Sequence, residues 1–438
     1  MTTVLKFGGT SVGSAGNMRR VTEIIVARRA TVTVLSAMSG TTDALVSICS
    51  AAQKGGGSEQ IATIAGSLRT KYTECINDLL ADKQAAKQLL DKALETICDA
   101  AVWYRSELSE RVIIAQGELL TSAIFTMYLH EAGHKAVLLN APDFMVRDAD
   151  GKVDTHALRR KLSGVHAGGD TLYITQGFIC TDAAGNLDNL GRGGSDYSAA
   201  LIGAALGAAQ VEIWTDIDGM HNNDPRYVEN TFPIHRMSFD EAAELAYFGA
   251  KILHPATIVP CKEQGIPVLL KNTLDPEAEG TLITDRKEST GRAFHAVAAK
   301  DGITVIRIYS TRMLMAYGFL RRVFEVFERY RTPIDMITTS EVAVSLTIDS
   351  DCHLAGIVRE LEGLGTIEVE QQNTIVCVVG DMEHTSSGVA ADILAGVEDI
   401  PIKMISYGAS HRSMAMLIDT RHKRAFLQSL NDHLFNAG

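Results

Sequence analysis

The stretch Leu190-Gly191-Arg192-Gly193-Gly194-Ser195-Asp196-Tyr197-Ser198 packs three glycines, an arginine, an aspartate and two serines into nine positions, and residues 199–210 follow as a small-residue helix. Glycine lets a backbone turn tightly and approach a ligand with no side chain in the way. A turn that opens a helix presents unpaired N–H groups, so it favours anions. Arg192 adds a planar fork suited to a carboxylate or a phosphate. The same residues would also serve as an Asp or Ser N-cap after a glycine-rich turn, and the stretch alone does not separate the two readings.

Three more stretches share this character. Lys6-Phe7-Gly8-Gly9-Thr10-Ser11 closes an apolar strand over 3–7 with a glycine turn. Downstream come Trp214-Thr215-Asp216-Ile217-Asp218-Gly219 and Phe248-Gly249-Ala250-Lys251-Ile252-Leu253-His254-Pro255. Strand, glycine turn, helix over 17–29 and a valine-rich strand over 31–36 form the opening of an α/β unit with a parallel sheet. Such sheets bind ligands at the turn after the first strand, where Lys6 and the N–H groups of Gly8 and Gly9 would meet phosphate. No G-x-x-x-x-G-K-[ST] pattern occurs, so this is not a Walker A loop.

Taken in order, the four stretches resemble those of the aspartokinases within the amino acid kinase family, over about the first two thirds of the chain. The last third resembles the paired ACT modules of the same enzymes. The resemblance implies an open, mainly parallel sheet sandwiched by helices over residues 1–285, then a linker at 286–294. Two ferredoxin-like βαββαβ ACT units follow at 301–371 and 372–438. The implied reaction moves the γ-phosphoryl group of ATP to the β-carboxylate of L-aspartate, giving 4-phospho-L-aspartate. This is the first step toward lysine, threonine, methionine and diaminopimelate. ATP and Mg²⁺ are the implied cofactors, L-lysine the implied feedback inhibitor, and a homodimer or larger homo-oligomer through the ACT units the implied assembly.

The same resemblance assigns residues. Lys6, with Gly8 and Gly9, stabilises charge on the transferring phosphoryl group. Thr42, Phe178 and Ser195 lie on the amino-acid side, with Arg192 on the α-carboxylate and Glu118 and Asp196 on the α-ammonium. Thr215 and Asp216 meet adenosine, Arg226 the nucleotide and Lys251 the ATP phosphates; no side chain is assigned as a metal ligand. Met313, Gly318, Phe319, Leu320, Ile334 and Asp335 make up the effector region. Each residue also has a plainer reading: Lys6 as a solvated strand end, Thr42 as a helix cap, Glu118 as a carboxylate favouring a helix start, Phe178 as core. Three departures from the family pattern stand out. Asp188-Asn189 replaces a common Thr-Thr before the glycine-rich turn, His221 stands where a Tyr is frequent, and Ala316 where a Ser is frequent.

Composition bounds these readings. At 438 residues two or three domains are expected. With 46% hydrophobic and 21% charged residues the chain is of ordinary globular type. A net charge of −12 argues against a general nucleic-acid surface while leaving room for a bound nucleotide. Seven cysteines without C-x-x-C spacing read as reduced thiols. The N-terminus enters a strand with no signal-type segment, and no apolar run approaches span length, so a cytoplasmic protein off the membrane is expected.

Beyond residue 300 strands and helices alternate in a pattern that recurs once, an internal repeat. The second copy lacks a final strand, and 295–300 is a strand too many, so this surplus strand is expected to complete the second unit. A turn at 313–320 opening a helix would hold an effector carboxylate. Asp335, on a strand over 334–338, would face its ammonium. Two rivals share many of these features: a kinase acting on another amino acid such as glutamate, and a catalytically dead amino-acid sensor on the same scaffold. Against the first stand the Trp-Thr-Asp and Phe-Gly-Ala-Lys stretches, and against the second the intact set Lys6, Glu118, Arg192 and Asp196.

Overall fold

A computed structural model describes residues 1–438 apart from 56, 105, 166–168, 250–254, 286–292, 314–316, 383–386 and 436–438. In chain order the first ten strands are β1 (Thr3–Phe7), β2 (Val32–Leu35), β3 (Lys135–Leu139), β4 (Thr171–Gln176), β5 (Ile179–Thr181), β6 (Leu187–Asn189), β7 (Gln210–Thr215), β8 (Arg236–Ser238), β9 (Val268–Asn272) and β10 (Thr281–Thr284). The helices among them are α1 (Ala15–Ala27), α2 (Thr41–Gln53), α3 (Ser58–Leu79), α4 (Gln84–Val102), α5 (Glu107–Glu131), α6 (Ala141–Phe144), α7 (Thr155–Lys161), α8 (Gly194–Leu206), α9 (Phe239–Tyr247) and α10 (Val259–Glu263).

Eight of these strands form one sheet in the order β3-β4-β2-β1-β7-β9-β10-β8. Every pair is parallel except β9–β10. The central strands are apolar on both faces, as a sheet covered on both sides requires. Helix α8 lies against it and is buried along nearly its whole length. Its small residues permit this: a Cβ on Gly203 would lie 2.5 Å from Val211 Cγ2 of β7. Helices α2 to α5 form a second apolar layer, with Tyr72, Ile76, Leu90, Ile97, Ile113 and Phe125 in a core continuous with Leu5 and Phe7 of β1.

Two expectations need correction here. Helix α5 runs unbroken over 25 residues and is long and apolar enough to cross a membrane, although no run of span length was expected. Its most apolar window is 67% buried within the fold, so its apolarity is that of a core helix. The helix expected to begin near Glu118 in fact begins at Glu107, so Glu118 sits in mid-helix, where the N-terminal dipole does not act.

The chain divides into two compact units. The first comprises Met1–Met220, His235–Phe239 and Ile252–Lys287; the second comprises His221–Ile234, Asp240–Lys251 and Glu288–Gly438. The second therefore takes up two segments that precede residue 285. Within it, Val228 belongs to an apolar cluster with Phe294, Val376 and Phe426, and Asn222 Nδ2 donates to Asn431 Oδ1 at 2.9 Å.

The second unit contains β11 (Phe294–Tyr309), α11 (Phe319–Arg329), β12 (Ile337–Thr339), β13 (Ala343–Ile348), α12 (Leu354–Leu361), β14 (Thr366–Gly380), α13 (Val389–Ala395), β15 (Met404–Tyr407), β16 (Ser413–Asp419) and α14 (Lys423–Phe435). Its six strands form one antiparallel sheet, β12-β13-β11-β14-β16-β15. The strand expected at 295–300 does not end there but continues to Tyr309 as β11, and residues 366–380 are likewise one long strand, β14. Residues 296–300 of β11 pair with 375–379, and 305–309 pair with 366–370, across register shifts near Lys300 and Ile303. Each half of the sheet thus carries four strands and two helices in ferredoxin-like order, with two long strands shared between the halves.

Candidate functional site

Parallel pairing of β1 with β2 and β7 brings the turns after these strands to one edge of the sheet. The N–H of Gly8 donates to the Trp214 carbonyl at 3.2 Å, and that of Ser39 to the Gly9 carbonyl at 3.0 Å. A Cβ on Gly9 would lie 2.8 Å from the Ala37 carbonyl oxygen, so only glycine permits this approach. Lys6, near the end of β1, places Nζ 2.7 Å from Asp196 Oδ1 in the first turn of α8.

The glycine-rich turn is held with equal specificity. Gly193 is the N-cap of α8 with φ 69°, and no side chain caps the helix. The Asp or Ser N-cap reading therefore fails, and both side chains are left for the site. Ser195 Oγ lies 3.0 Å from Ser36 Oγ at the end of β2. Phe178 has φ 67°, a left-handed conformation that a bulky residue seldom adopts. Its N–H donates to Ser198 Oγ at 3.0 Å, and its carbonyl accepts from Leu190 N–H at 2.8 Å. Strain held in place from both sides is the kind that gathers at functional sites.

Glu118 reaches the same place from α5. Its side chain is buried, Oε1 accepts from the Ala37 N–H at 3.2 Å, and Oε2 has no partner. Burial pushes its carboxyl up to about 7, with the Ala37 N–H working in the opposite direction. Beneath it, the buried Tyr72 hydroxyl lies 3.3 Å from Thr41 Oγ1 and 3.2 Å from Thr121 Oγ1. Thr42 does not cap α2, since the N-cap is Gly40 in a left-handed conformation.

These groups line one cleft of about 400 Å³, in which Lys6, Thr42, Glu118, Phe178, Arg192 and Asp196 face a common space with Gly9 and Ser195. Among the described residues the exposed Arg192 has no ion-pair partner, and Glu118 has an unpaired oxygen. The cleft thus offers a free cation and an under-satisfied carboxylate, with a second cation already paired to Asp196. That is complementary to a zwitterionic amino acid.

Other sequence candidates fall elsewhere. Gly8 adjoins the cleft without lining it. Thr215 Oγ1 donates to Asp216 Oδ1 at 3.1 Å at the end of β7, outside this cleft. Arg226 belongs to the second unit and grips Asp224 through Nε and Nη2, at 2.9 and 2.7 Å. His221 Nδ1 lies 3.3 Å from Thr231 Oγ1. Lys251 and Ala316 lie outside the described residues.

Among the effector candidates, Gly318 is the left-handed N-cap of α11, Phe319 is a core side chain, and Met313, Leu320 and Ile334 pack against that core. Asp335 precedes β12 rather than lying on a strand. It does meet an ammonium, but that of Lys300, 2.7 Å from Oδ1. The Tyr247 hydroxyl donates to the same oxygen at 3.1 Å, and Lys300 also reaches Asp349 Oδ2 at 2.9 Å. Burial raises the Asp335 carboxyl against the pull of Lys300.

Sequence reading gave no role to Ser36 or to the partners of Asp188. Buried Asp188 lies 3.2 Å from Arg111 Nε and 3.1 Å from Arg147 Nη1. Ser36 was visible as a polar strand end, whereas nothing local marks Arg111 or Arg147.

Residues 1–272 match the amino acid kinase family, and residues 376–434 match the ACT domain. The chain is 34% identical to lysine-sensitive aspartokinase 3 of Escherichia coli, over 99% of each chain. It is 32% identical to chloroplastic aspartokinase 1 of Arabidopsis thaliana, over 100% of this chain and 81% of that one. Among solved structures it resembles E. coli aspartokinase III in complex with aspartate and ADP (R-state), with a TM-score of 0.87 at 32% identity, over 99% of this chain and 100% of that one. The same enzyme in complex with lysine and aspartate (T-state) gives a TM-score of 0.81 at 32% identity, over 99% of both chains.

The Glu118 environment makes a prediction for the ligand-free protein. Its folded value, about 7, lies above its ordinary 4.5, so the folded form holds a proton that the unfolded chain has released. The associated stability is complete below the unfolded value and is lost as pH rises through about 7. A shift of that size corresponds to about 3 kcal/mol. Urea unfolding of the wild type and Glu118→Gln from pH 4 to pH 8 should show the wild type losing stability relative to the variant across this window. A constant difference would mean that Glu118 titrates normally.

Proposed function

The chain belongs to the amino acid kinase family, as an aspartokinase with a C-terminal ACT region, and from this premise we propose how its own side chains divide the work. It is an aspartate kinase: the γ-phosphoryl group of ATP passes to the side-chain carboxylate of L-aspartate, giving 4-phospho-L-aspartate. The nucleophile is already ionised at neutral pH, so no strong general base is needed. Catalysis then consists mainly of positioning and neutralising charge.

The observation that carries the division of roles is the presence, in one cleft, of an Arg192 with no ion-pair partner among the described residues and a buried, half-satisfied Glu118. Arg192 grips the α-carboxylate. Glu118 receives the α-ammonium, whose charge would restore its ionised form and fill the vacant lone pairs of Oε2. Thr42, Ser195 and Phe178 shape the wall around the substrate. Lys6, supported by the N–H of Gly9, faces the transferring phosphoryl group, whereas the expected Gly8 donor is already spent on the Trp214 carbonyl at 3.2 Å. Asp196 orients Lys6 at 2.7 Å and thereby limits its motion, besides any contact with substrate ammonium.

Thr215 and Asp216, at the end of β7, are assigned to the nucleotide, whereas Arg226 belongs to the second unit and is held there by Asp224. Among the described residues no cluster of three His, Cys, Asp or Glu side chains would hold a metal on its own. Magnesium keeps several waters and takes ligands from substrate phosphates, so it fits here as a companion of the nucleotide. When bound it would neutralise phosphate charge.

For control we propose L-lysine, acting through the region from Met313 to Asp335, in a homodimer or larger assembly made through the ACT units. The support is similarity along the whole chain to a lysine-sensitive enzyme. The test is aspartate-dependent ADP release with and without L-lysine and L-threonine. Suppression by lysine alone is expected, and indifference to lysine would remove this assignment while leaving the kinase intact. In the same assay Arg192→Ala should raise KM for aspartate by about tenfold or more, with a smaller change in kcat. Lys6→Ala should lower kcat by about 10²-fold or more, the usual cost of losing a group that stabilises transition-state charge. An unchanged KM for aspartate in Arg192→Ala would end its role as the clamp.

A further inference from the structure

Asp188 lies outside the cleft, yet it joins both of the elements that supply the cleft's charged grip. It sits on β6, three residues before the left-handed Gly191, and its side chain is 9% exposed. Oδ1 accepts from Asn189 N–H at 2.7 Å and lies 3.2 Å from Arg111 Nε. Oδ2 accepts from Arg147 Nη1 at 3.1 Å. The same Nη1 donates to the Asn189 carbonyl at 2.7 Å, and Arg147 Nε donates to the Gly151 carbonyl at 3.0 Å. Asn189 Oδ1 then accepts from Gly191 N–H at 3.1 Å, and Gly194 N–H closes the turn on the Gly191 carbonyl at 2.9 Å. Arg192 stands within this closed turn.

Arg111 is on α5, the helix that carries Glu118 seven residues, about two turns, further on. Its other ion-pair partner, Glu107, is on the same helix and exposed. The Asp188 carboxylate is therefore a charged tie between α5 and the strand leading into the glycine-rich turn. A buried carboxylate that meets two guanidinium groups and a backbone N–H is well satisfied, and removing any one member leaves the others short of partners.

We propose that Asp188, Arg111 and Arg147 form a positioning cluster that sets the separation between Arg192 and Glu118, and so sets the enzyme's affinity for its amino-acid substrate. None of the three lines the cleft. The proposal rests on the reading of Arg192 and Glu118 given above. Its logic is that a zwitterion is held at two points, so a shift of either point weakens binding even though both groups are still present. A displacement of about 1 Å caused by a remote change can cost up to about 10²-fold in rate. On the nucleotide side, Lys6 meets the same stretch one turn further on, at Asp196, and the turn after β1 rests on the Trp214 carbonyl and the Ser39 N–H rather than on Asp188.

The experiment is steady-state kinetics on the full chain for Asp188→Asn, Arg147→Lys and Arg192→Ala, varying L-aspartate and ATP separately. Asp188→Asn keeps the shape and removes the charge; Arg147→Lys keeps the charge and removes the fork that bridges Asp188 to the Asn189 carbonyl. The expected result is a KM for aspartate raised about tenfold in both, with KM for ATP changed by less than about twofold. If Asp188→Asn does not fold, Arg147→Lys decides by the same criteria. An unchanged KM for aspartate, beside a raised one in Arg192→Ala, overturns the positioning role and leaves the clamp standing. Parallel loss in both substrates with a lowered Tm also overturns it, since that is the mark of general destabilisation. An unaffected Arg192→Ala removes the clamp and this inference together.

Discussion

Parallel pairing at the centre of the first unit is the constraint on which the cleft depends. With β1 flanked by β2 and β7 in the same direction, the polar ends of these strands must emerge on one edge. The turn at Gly8 and Gly9, the turn from Ser36 to Gly40 and the start of α8 are therefore neighbours, although they span nearly 200 residues of sequence. An antiparallel neighbour would have sent one of these turns to the opposite edge. Glycine supplies the remaining condition, because the turn after β1 can touch the turn after β2 only where Gly9 has no side chain. Helix α8, made of small residues, then comes close enough to the sheet to present Asp196 to Lys6.

Charge is distributed unevenly in the space so formed. The Lys6–Asp196 pair is settled before any ligand arrives, which holds a flexible lysine in one place. Glu118 is not settled: it is desolvated, has one backbone donor and is raised to about 7. A buried carboxylate in that state is costly, and an ammonium at Oε2 removes the cost. The free energy stored in the empty site thus becomes discrimination, because an analogue without the amino group leaves the carboxylate unsatisfied.

Legibility in the sequence followed locality. The glycine-rich turn, the Lys6 turn and the polar end of β2 each show themselves within ten residues, and all three meet in the cleft. Glu118 was found with them, although its helix was expected to start about ten residues too late, because Gly117 imitates a boundary. That glycine serves packing, since a Cβ there would lie 2.8 Å from the Ala37 Cβ. Arg111 and Arg147 were invisible: they meet Asp188 across 77 and 41 positions, and a lone arginine on a helix or beside a turn has no periodic or compositional signature. The tail shows the same limit. Its repeat was readable from alternating strands and helices, but the fusion of neighbouring strands into β11 and β14 was not. A chain of alternating apolar residues looks alike whether a strand ends at Lys300 or continues past a register shift.

The second unit adds a physical condition on any effector. Asp335 is the buried anion expected to attract an ammonium, and the protein already supplies one in Lys300, with Tyr247 donating to the same oxygen. A ligand cation must therefore either displace Lys300 from Oδ1 or share the carboxylate with it through the buried Oδ2, which has no hydrogen-bond partner. Lys300 is not an independent surface group. It lies on β11 next to the register shift where pairing passes from one half of the sheet to the other, in register with Ile375. Asp335 and Asp349, by contrast, flank β12 and β13 at the opposite half. The ion pair ties the two halves across a strand they share, and release of Lys300 would change the charge balance of both. For a ligand that displaces Lys300, linkage then requires that whatever stabilises the paired arrangement of Lys300 opposes the ligand by the same free energy.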